Sequence, residues 1–242
     1  MFDLRLASWL TTAPERSYAL RRLPAPLPAV QLWLIDLDVT PRPHALSCLA
    51  PEELQRAARF RFQRDRLRFV AGRVWLRHLL ARHADCSIDD IRLDTGPQGK
   101  PELRAPDPQL YFNLSHSAHL ALLGIAQGVP VGVDIEQLRS LPDARDLVDE
   151  HFDAAERAAF DELPARDRPL ALMRGWTRKE ACLKAWGMGL GLEPSRLHVG
   201  IGPEACQVVP PIPSVGGCLR VATVSMPENE GFEAALSLGS AS

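Results

Sequence analysis

A chain of 242 residues that is 46% hydrophobic and 24% charged can bury a sizeable core in one large domain or two small ones. Its 28 Lys and Arg against 30 Asp and Glu leave a net charge of −2, which excludes the strongly basic balance of a general nucleic-acid binder, and no run approaches the ~18 apolar residues of a membrane span. Asp3 and Arg5 interrupt the apolar start, so no secretory leader is expected, and the unpatterned cysteines Cys48, Cys86, Cys182, Cys206 and Cys218 suit a reducing compartment. The expectation is a cytoplasmic monomer with neither membrane nor nucleic acid as partner.

In chain order, Pro24, Pro26 and Pro28 make an extended lead-in. Gln31–Val39 then reads as a strand, with Asp36 and Asp38 near its end, and Pro51–His83 reads as helical. Arg56, Arg59, Arg61, Arg64, Arg66, Arg68, Arg73 and Arg77 crowd that helical region, backed by an apolar stripe of Phe60, Leu67, Val70, Val74 and Leu80. Strands are predicted at Ile91–Leu93, Leu110–Leu114 and His119–Ala126, with a junction at Gln127–Pro130. Beyond it Val131–Glu136 is a strand, Ala144–Leu163 and Leu170–Trp186 are helical, and Leu197–Ile201, Gln207–Val209, Leu219–Ser225 and Phe232–Leu238 are strands. Element order therefore suggests two similar halves, although no residue-level repeat joins them.

Three stretches carry chemistry. In RGWTRKEACLKAWGMGLG (Arg174–Gly191), Trp176, Glu180 and Lys184 recur at i, i+4 and i+8, which aligns them on one helical face. As a surface pair, Glu180 and Lys184 would add only about 0.2–0.5 kcal/mol. Gly175, Gly187, Gly189 and Gly191 bracket the helix and predict its end close to the charged pair. In VPVGVDIEQ (Val129–Gln137), Asp134 and Glu136 alternate with apolar residues, so both carboxylates fall on one side of a strand. Such a pair repels itself unless a cation intervenes, and Mg²⁺ takes carboxylate and phosphate oxygens, with Glu180 available as a third donor. Asp36 and Asp38 form a similar spacing without the same company.

The third stretch, YFNLSHSAH (Tyr111–His119), gathers Asn113, Ser115, His116, Ser117 and His119, and follows the turn-forming GPQGKP loop (Gly96–Pro101) that presents Lys100. Small donors and a lysine on loops suit phosphate. His116 and His119 lack the CxxC partners of a zinc site.

In this order and spacing, GKP, FNLSHS, GVDIE and WTRKEACLKAWGMGL resemble the 4′-phosphopantetheinyl transferases of the surfactin-synthetase-activating type. The arginine-rich stretch RFRFQRDRLRFVAGRVWLR (Arg59–Arg77) resembles that family's basic helix, and the match extends from Leu49 to Leu192. The resemblance implies an α+β fold of two pseudo-twofold lobes, residues 1–128 and 129–242, each a small sheet with packed helices, and an active site between them. It implies transfer of the 4′-phosphopantetheine arm of coenzyme A to a serine of an apo acyl or peptidyl carrier protein, releasing adenosine 3′,5′-bisphosphate. Asp134, Glu136 and Glu180 would hold Mg²⁺, with Glu180 and Lys184 catalytic. Arg56, Lys100, Asn113, Ser115, His116 and Lys184 would contact coenzyme A. Glu53 stands where the family carries a basic residue.

A Mg²⁺-dependent nucleotide pyrophosphohydrolase would use the same carboxylates and clamps with water as acceptor, and a non-catalytic carrier-protein or coenzyme A binding module would need no metal ligands. The carrier surface is expected on the helices beyond Asp143, where Leu147, Val148 and Phe152 could offer apolar contacts.

Overall fold

Period-two alternation sorts the ten strands of the described residues into antiparallel sheets. The computed structural model describes residues 19–39, 41, 43–96, 99–139, 141–212, 216–227 and 231–239; the start carrying Asp3 and Arg5 lies outside them. The strands are β1 (Leu20–Leu23), β2 (Val30–Asp36), β3 (Arg92–Thr95), β4 (Pro101–Ala105), β5 (Leu110–Ser117), β6 (Leu120–Gln127), β7 (Val131–Gln137), β8 (Cys206–Val208), β9 (Leu219–Thr223) and β10 (Phe232–Gly239). The α-helices are α1 (Pro51–Ala58), α2 (Gln63–His83), α3 (Ala144–His151), α4 (Ala154–Glu162) and α5 (Arg168–Trp186). One four-stranded sheet runs β1-β2-β6-β5 and a second runs β7-β10-β9-β8, with β3-β4 as a separate ribbon. The architecture is α+β.

Each sheet buries both faces. Trp33, Ile35, Leu123 and Ile125 of the first sheet pack on Trp75, Leu76, Leu79 and Leu80 of α2. On the opposite face, Leu32, Leu34 and Leu122 meet Val131, Val133, Ile135, Ala234 and Leu236 of the second sheet. The far side of that sheet takes α5, through Cys182, Leu183 and Ala185 against Val208, Leu219 and Val221. Completely burying a side chain of this kind is worth about 1.5–3 kcal/mol, so these three stacked clusters hold both sheets and both long helices in layers.

Strand β7 is pressed from two sides. A Cβ at Gly124 of β6 would stand 2.8 Å from Val133, and a Cβ at Gly132 would stand 2.0 Å from the Ala181 carbonyl and 2.5 Å from the Ala185 amide of α5. The helix backbone therefore rests directly on the strand. It ends where the glycines predict, at Gly187 with φ 69°, the left-handed cap that glycine adopts without strain. Gly175 does not bracket α5. It lies inside the helix, where a Cβ would approach the Phe152 ring to 2.3 Å.

Five further points differ from the sequence reading. Leu197–Ile201 forms no strand: Gly200 turns the chain at φ 67°, and the backbone is bonded to side chains, the Val199 and Gly200 amides donating to Glu156 at 2.8 and 3.1 Å and the Leu197 carbonyl accepting from Lys179. The helix predicted over Ala144–Leu163 is two, since Asp153 caps α4 by accepting the Glu156 amide at 2.8 Å while Glu156 accepts the Asp153 amide. Strands β1 and β4 lie where proline-rich sequence hid them. Val148 and Phe152 are 0% and 1% exposed and belong to a core cluster with Phe160 and Leu172, which removes them from any carrier surface. Phe60, expected in the apolar stripe, is 38% exposed.

The contact at Gly132 is open to test by equilibrium urea unfolding. Gly132→Ala forces the strand and helix apart and is expected to destabilise by at least the ~1–3 kcal/mol of core overpacking. Gly217→Ala, whose new Cβ would meet nothing within 4 Å, should stay within about 0.5 kcal/mol.

Candidate active site

Alternation along β7 decides which residues reach the site. Val131, Val133 and Ile135 face the first sheet, so Gly132, Asp134 and Glu136 face α5. Because Gly132 lets the helix touch the strand, the next residues of that face meet the helix's last turns. The Lys184 ammonium lies 2.5 Å from Asp134 Oδ1 and donates to Ser115 Oγ at 3.0 Å. Ser115 in turn donates to the same Asp134 oxygen at 2.8 Å. Asp134 is 2% exposed, and its other oxygen, Oδ2, is buried with no hydrogen-bond partner among the described residues.

Strand β5 supplies a side-chain ladder across to β7. The edges of the two sheets lie side by side, and three alternate residues of β5 span the gap. Asn113 Oδ1 accepts the Val133 amide at 2.8 Å, Ser115 reaches Asp134, and Ser117 Oγ donates to Glu136 Oε2 at 2.8 Å while accepting the Gln137 amide at 3.1 Å. The amide oxygen of Asn113 is thereby committed to the protein backbone. The intervening residues of β5 point the other way: Phe112 and Leu114 join the α2 core, and His116 enters a cavity. Adjacent residues of one short motif thus serve two sides of a strand.

That cavity, of about 530 Å³, lies between α2, β5 and the loop ahead of β4. Leu37, Phe69, Leu114 and Ala121 give it apolar walls, and Arg56, Arg68 and Arg73 make its polar lining, which also includes His116, cationic against the one acid, Asp65. Two of the arginines are already matched. Arg68 grips both oxygens of Asp38 at 2.6 and 3.0 Å, which accounts for one carboxylate of the Asp36/Asp38 spacing. Buried Glu53 takes Arg77 at 2.7 Å and Arg73 at 3.3 Å, and accepts the Ala50 amide ahead of α1. Among the described residues no salt bridge engages Arg56, whose guanidinium stands 5.3 Å from the Phe69 ring centroid.

Burial tunes the titrating groups. It raises the Glu180 carboxyl above its ordinary value against the pull of Lys184, with the charges of Asp134 and Glu136 adding to the rise. Burial also raises Glu136, and the Ser117 hydrogen bond partly offsets it. His116 is held below the usual imidazole value by burial and by the charges of Lys184, Arg56 and Arg68, so it is neutral at pH 7. A thiol nucleophile is excluded at Cys182, pushed up to about 12 by burial.

Two groups beside the site escaped the sequence reading. Ser117 was recorded but given no role, although period-two spacing from Asn113 and Ser115 places it on their face. Glu233 stands directly across from Glu136 in the β10–β7 register and pairs with Arg174 at 3.2 Å; nothing local in the sequence ties these distant positions together. Trp176 packs on His151, ring centroids 5.1 Å apart, and His119 sets its ring edgewise to Phe232. Lys100 turns toward α5, its ammonium donating to the Lys184 carbonyl at 2.7 Å.

Asp134, Glu136 and Glu180 do not stand within 4.8 Å of one another as a preformed ligand set, and the feature that fits a divalent cation is Asp134 Oδ2. This buried carboxylate oxygen lacks a partner among the described residues, and two further carboxyls with raised proton affinity share its field. Among the described residues the one set of three possible ligands within 4.8 Å of each other is instead Asp153, Glu156 and His198. There the Lys179 ammonium stands 2.6 Å from Glu156, just as the Lys184 ammonium stands 2.5 Å from Asp134, so at both places a cation of the protein already neutralises a carboxylate.

Comparison with known proteins gives two adjoining family matches. The family described as the 4′-phosphopantetheinyl transferase superfamily matches residues 130–208, and that described as 4′-phosphopantetheinyl transferase, N-terminal, matches residues 42–127. Similar proteins include a putative 4′-phosphopantetheinyl transferase of Synechocystis, 35% identical over 169 residues, 68% of this chain and 67% of the relative. The 4′-phosphopantetheinyl transferase HetI of Nostoc is 34% identical over 199 residues, 75% of this chain and 83% of its own. A 4′-phosphopantetheinyl transferase of Bacillus pumilus is 32% identical over 139 residues, 57% and 58% of the two chains.

The electrostatics predict opposite stability changes for two site variants. A carboxyl whose folded pKa is raised loses stability as pH rises through that value, because the ionised form is disfavoured in the fold. Glu180→Gln is therefore expected to melt higher than wild type near neutral pH, the gain shrinking as pH falls toward the ordinary carboxylate range of about 4–4.5. Lys184→Met strands the buried Asp134 charge and should destabilise toward the lower end of the ~3–5 kcal/mol cost of breaking a buried pair, the ammonium being partly exposed. Thermal melts across pH check both signs.

Proposed function

Since this chain belongs to the 4′-phosphopantetheinyl transferase family and is an enzyme of that kind, we propose that it moves the 4′-phosphopantetheine arm of coenzyme A onto a serine of an apo acyl or peptidyl carrier protein, with adenosine 3′,5′-bisphosphate released, in the manner of the surfactin-synthetase-activating type. The observation that carries this reading is the Ser115–Asp134–Lys184 cluster, set beside Glu136 and Glu180 and adjoining a cationic cavity of nucleotide size. We read the two four-stranded sheets as the cores of two pseudo-twofold lobes, residues 1–128 and 129–242. The two family matches meeting between residues 127 and 130 support that division.

Arg56 and His116 are assigned to the nucleotide phosphates, with Ser115 as a hydroxyl donor. A neutral His116 supplies a ring N–H and gains a proton readily once an anionic phosphate stands beside it. Asp134, Glu136 and Glu180 would hold Mg²⁺, which when bound neutralises charge on the bridging phosphates. Lys184, partly exposed on its free side, faces the same place and stabilises charge developing on the leaving phosphate. Glu180 accepts the proton of the incoming serine, directly or through a water. Its raised proton affinity suits a base near neutral pH better than an ordinary glutamate would. Asn113 and Ser117 act from the protein side by keeping β5 and β7 aligned.

The experiment is mass spectrometry of several apo carrier proteins after incubation with the chain, coenzyme A and Mg²⁺. Added phosphopantetheine mass is expected on at least one carrier, with no comparable cleavage of coenzyme A when carrier is left out. Rapid cleavage without carrier would make the protein a hydrolase. Glu180→Gln should lower turnover at least ~10²-fold. Asp134→Asn should raise the Mg²⁺ requirement sharply, whereas Asp36→Asn leaves it unchanged; equal effects would put the metal on another strand.

A further inference from the structure

An acid beside a cationic cavity is out of place unless its charge is already spent. Glu53 of α1 is 7% exposed, and its two oxygens go to different arginines of α2: Oε2 accepts from Arg77 Nε at 2.7 Å, and Oε1 lies 3.3 Å from Arg73 Nε. The two contacts differ in kind. Arg77 is hydrogen-bonded to Glu53 and, at 3.0 Å, to the Ile91 carbonyl. Arg73 is matched in charge alone, because its Nε and Glu53 Oε1 are both buried with no hydrogen-bond partner among the described residues.

Phe69, one turn before Arg73 on α2, shows what Arg73 shares with Arg56. The two guanidiniums stand 5.6 and 5.3 Å from the centroid of its ring, within cation–π reach, and all three residues line the same cavity. Arg56, Arg73 and Arg77 thus gather three positive charges around one buried carboxylate. Burial disfavours the Arg73 charge, Glu53 favours it, and Arg56 and Arg77 push against it, yet a guanidinium stays protonated. The excess of cation is relieved by an anion. A pair of guanidinium forks suits a terminal phosphomonoester, with nearly two negative charges and three acceptor oxygens, better than a bridging phosphate with one charge.

We propose that Arg73 is the second arm of a two-arginine clamp, beside Arg56 around the Phe69 ring, for a terminal phosphomonoester of the nucleotide, and that Glu53 is the positioning residue that holds this arm in the cavity wall. In coenzyme A that group is the 3′-phosphate. The acid at position 53 serves anion binding indirectly: Arg73 brings the charge, and Glu53 fixes where it stands. The inference rests on the reading of the cavity as the nucleotide site of a transferase.

Isothermal titration calorimetry of the full chain with coenzyme A and with 3′-dephospho-coenzyme A tests this without any turnover. The wild type is expected to bind coenzyme A at least about 10-fold more tightly than the dephospho compound. Arg73→Met should weaken coenzyme A about 10-fold and leave the dephospho compound within about 2-fold. Equal weakening of both, which is what a merely structural arginine would give, or selectivity kept at the wild-type level, would overturn the clamp. Glu53→Gln separates holding from charge. Deleting an acid makes the cavity more positive and by charge alone tightens coenzyme A, whereas loss of the anchor should weaken it about 5-fold with the dephospho compound within about 2-fold. Tighter binding of coenzyme A would overturn the positioning role. Should Glu53→Gln fail to fold by thermal melting, Glu53→Asp keeps the charge on a shorter arm; selective weakening of coenzyme A then supports the role, and unchanged binding overturns it. A wild type that binds both compounds equally, or neither, overturns the nucleotide reading of the cavity together with the clamp. Selective binding by a chain that modifies no carrier would overturn the transferase reading and leave the clamp standing.

Discussion

Everything at the site depends on a helix and a strand touching backbone to backbone. Gly132 has no side chain, and the helix residues above it, Ala181 and Ala185, are the smallest that still favour a helix. A methyl group on the strand at that point would need the space the Ala181 carbonyl occupies. Asp134 and Glu136 are the next residues along the same strand face, and Lys184 lies on the turn of α5 that follows Ala181. The distance between acid and base is thus inherited from a contact made entirely of small residues. On the other side of β7, Gly124 admits Val133 and Val131, from which a Cβ would stand only 2.8 and 3.2 Å. The strand bearing the acids has little freedom in either direction.

Electrostatics then works against this tight packing. Asp134 pairs with the Lys184 ammonium, and burial makes its two neighbours in charge, Glu136 and Glu180, reluctant to ionise. Such a cluster stores destabilisation that an added cation relieves, which is the arrangement expected where binding and chemistry are served ahead of stability. The rest of α5 supplies the compensation. Buried Lys179 pairs with Glu156 at 2.6 Å, and buried Arg178 donates to the carbonyls of Val199, Gly200 and Pro203. Consecutive charged residues of one helix therefore divide the labour: Arg178 and Lys179 fasten the 194–203 segment while Glu180 faces the cleft.

Much of the site was legible because its periodicities are short. The i, i+4 spacing of Glu180 and Lys184, the i, i+2 spacing of Asp134 and Glu136, and Gly187 as the end of the helix all rest on geometry within a single element. What could not be read was what joins elements. RKE gives no local sign that Arg178 and Lys179 are interior while Glu180 is not; that is fixed by a distant loop offering carbonyls. Glu53, seen in sequence as a departure from a basic pattern, is the buried counter-charge of Arg73 and Arg77, so its role is set by residues on the next helix. Leu197–Ile201 has the composition of a strand, but its backbone bonds went to Glu156 and Lys179. Gly175, a helix boundary by sequence, answers to Phe152 from the link between α3 and α4.

The bond from the Val133 amide to the Asn113 side chain carries one more consequence. Amides inside a sheet are usually shielded from solvent exchange by a neighbouring strand, so their protection reports the sheet they belong to. Val133 is shielded instead by a side chain of the other sheet. Its deuterium uptake is therefore a private clock for the separation of the two halves, running independently of the β7–β10 ladder beside it.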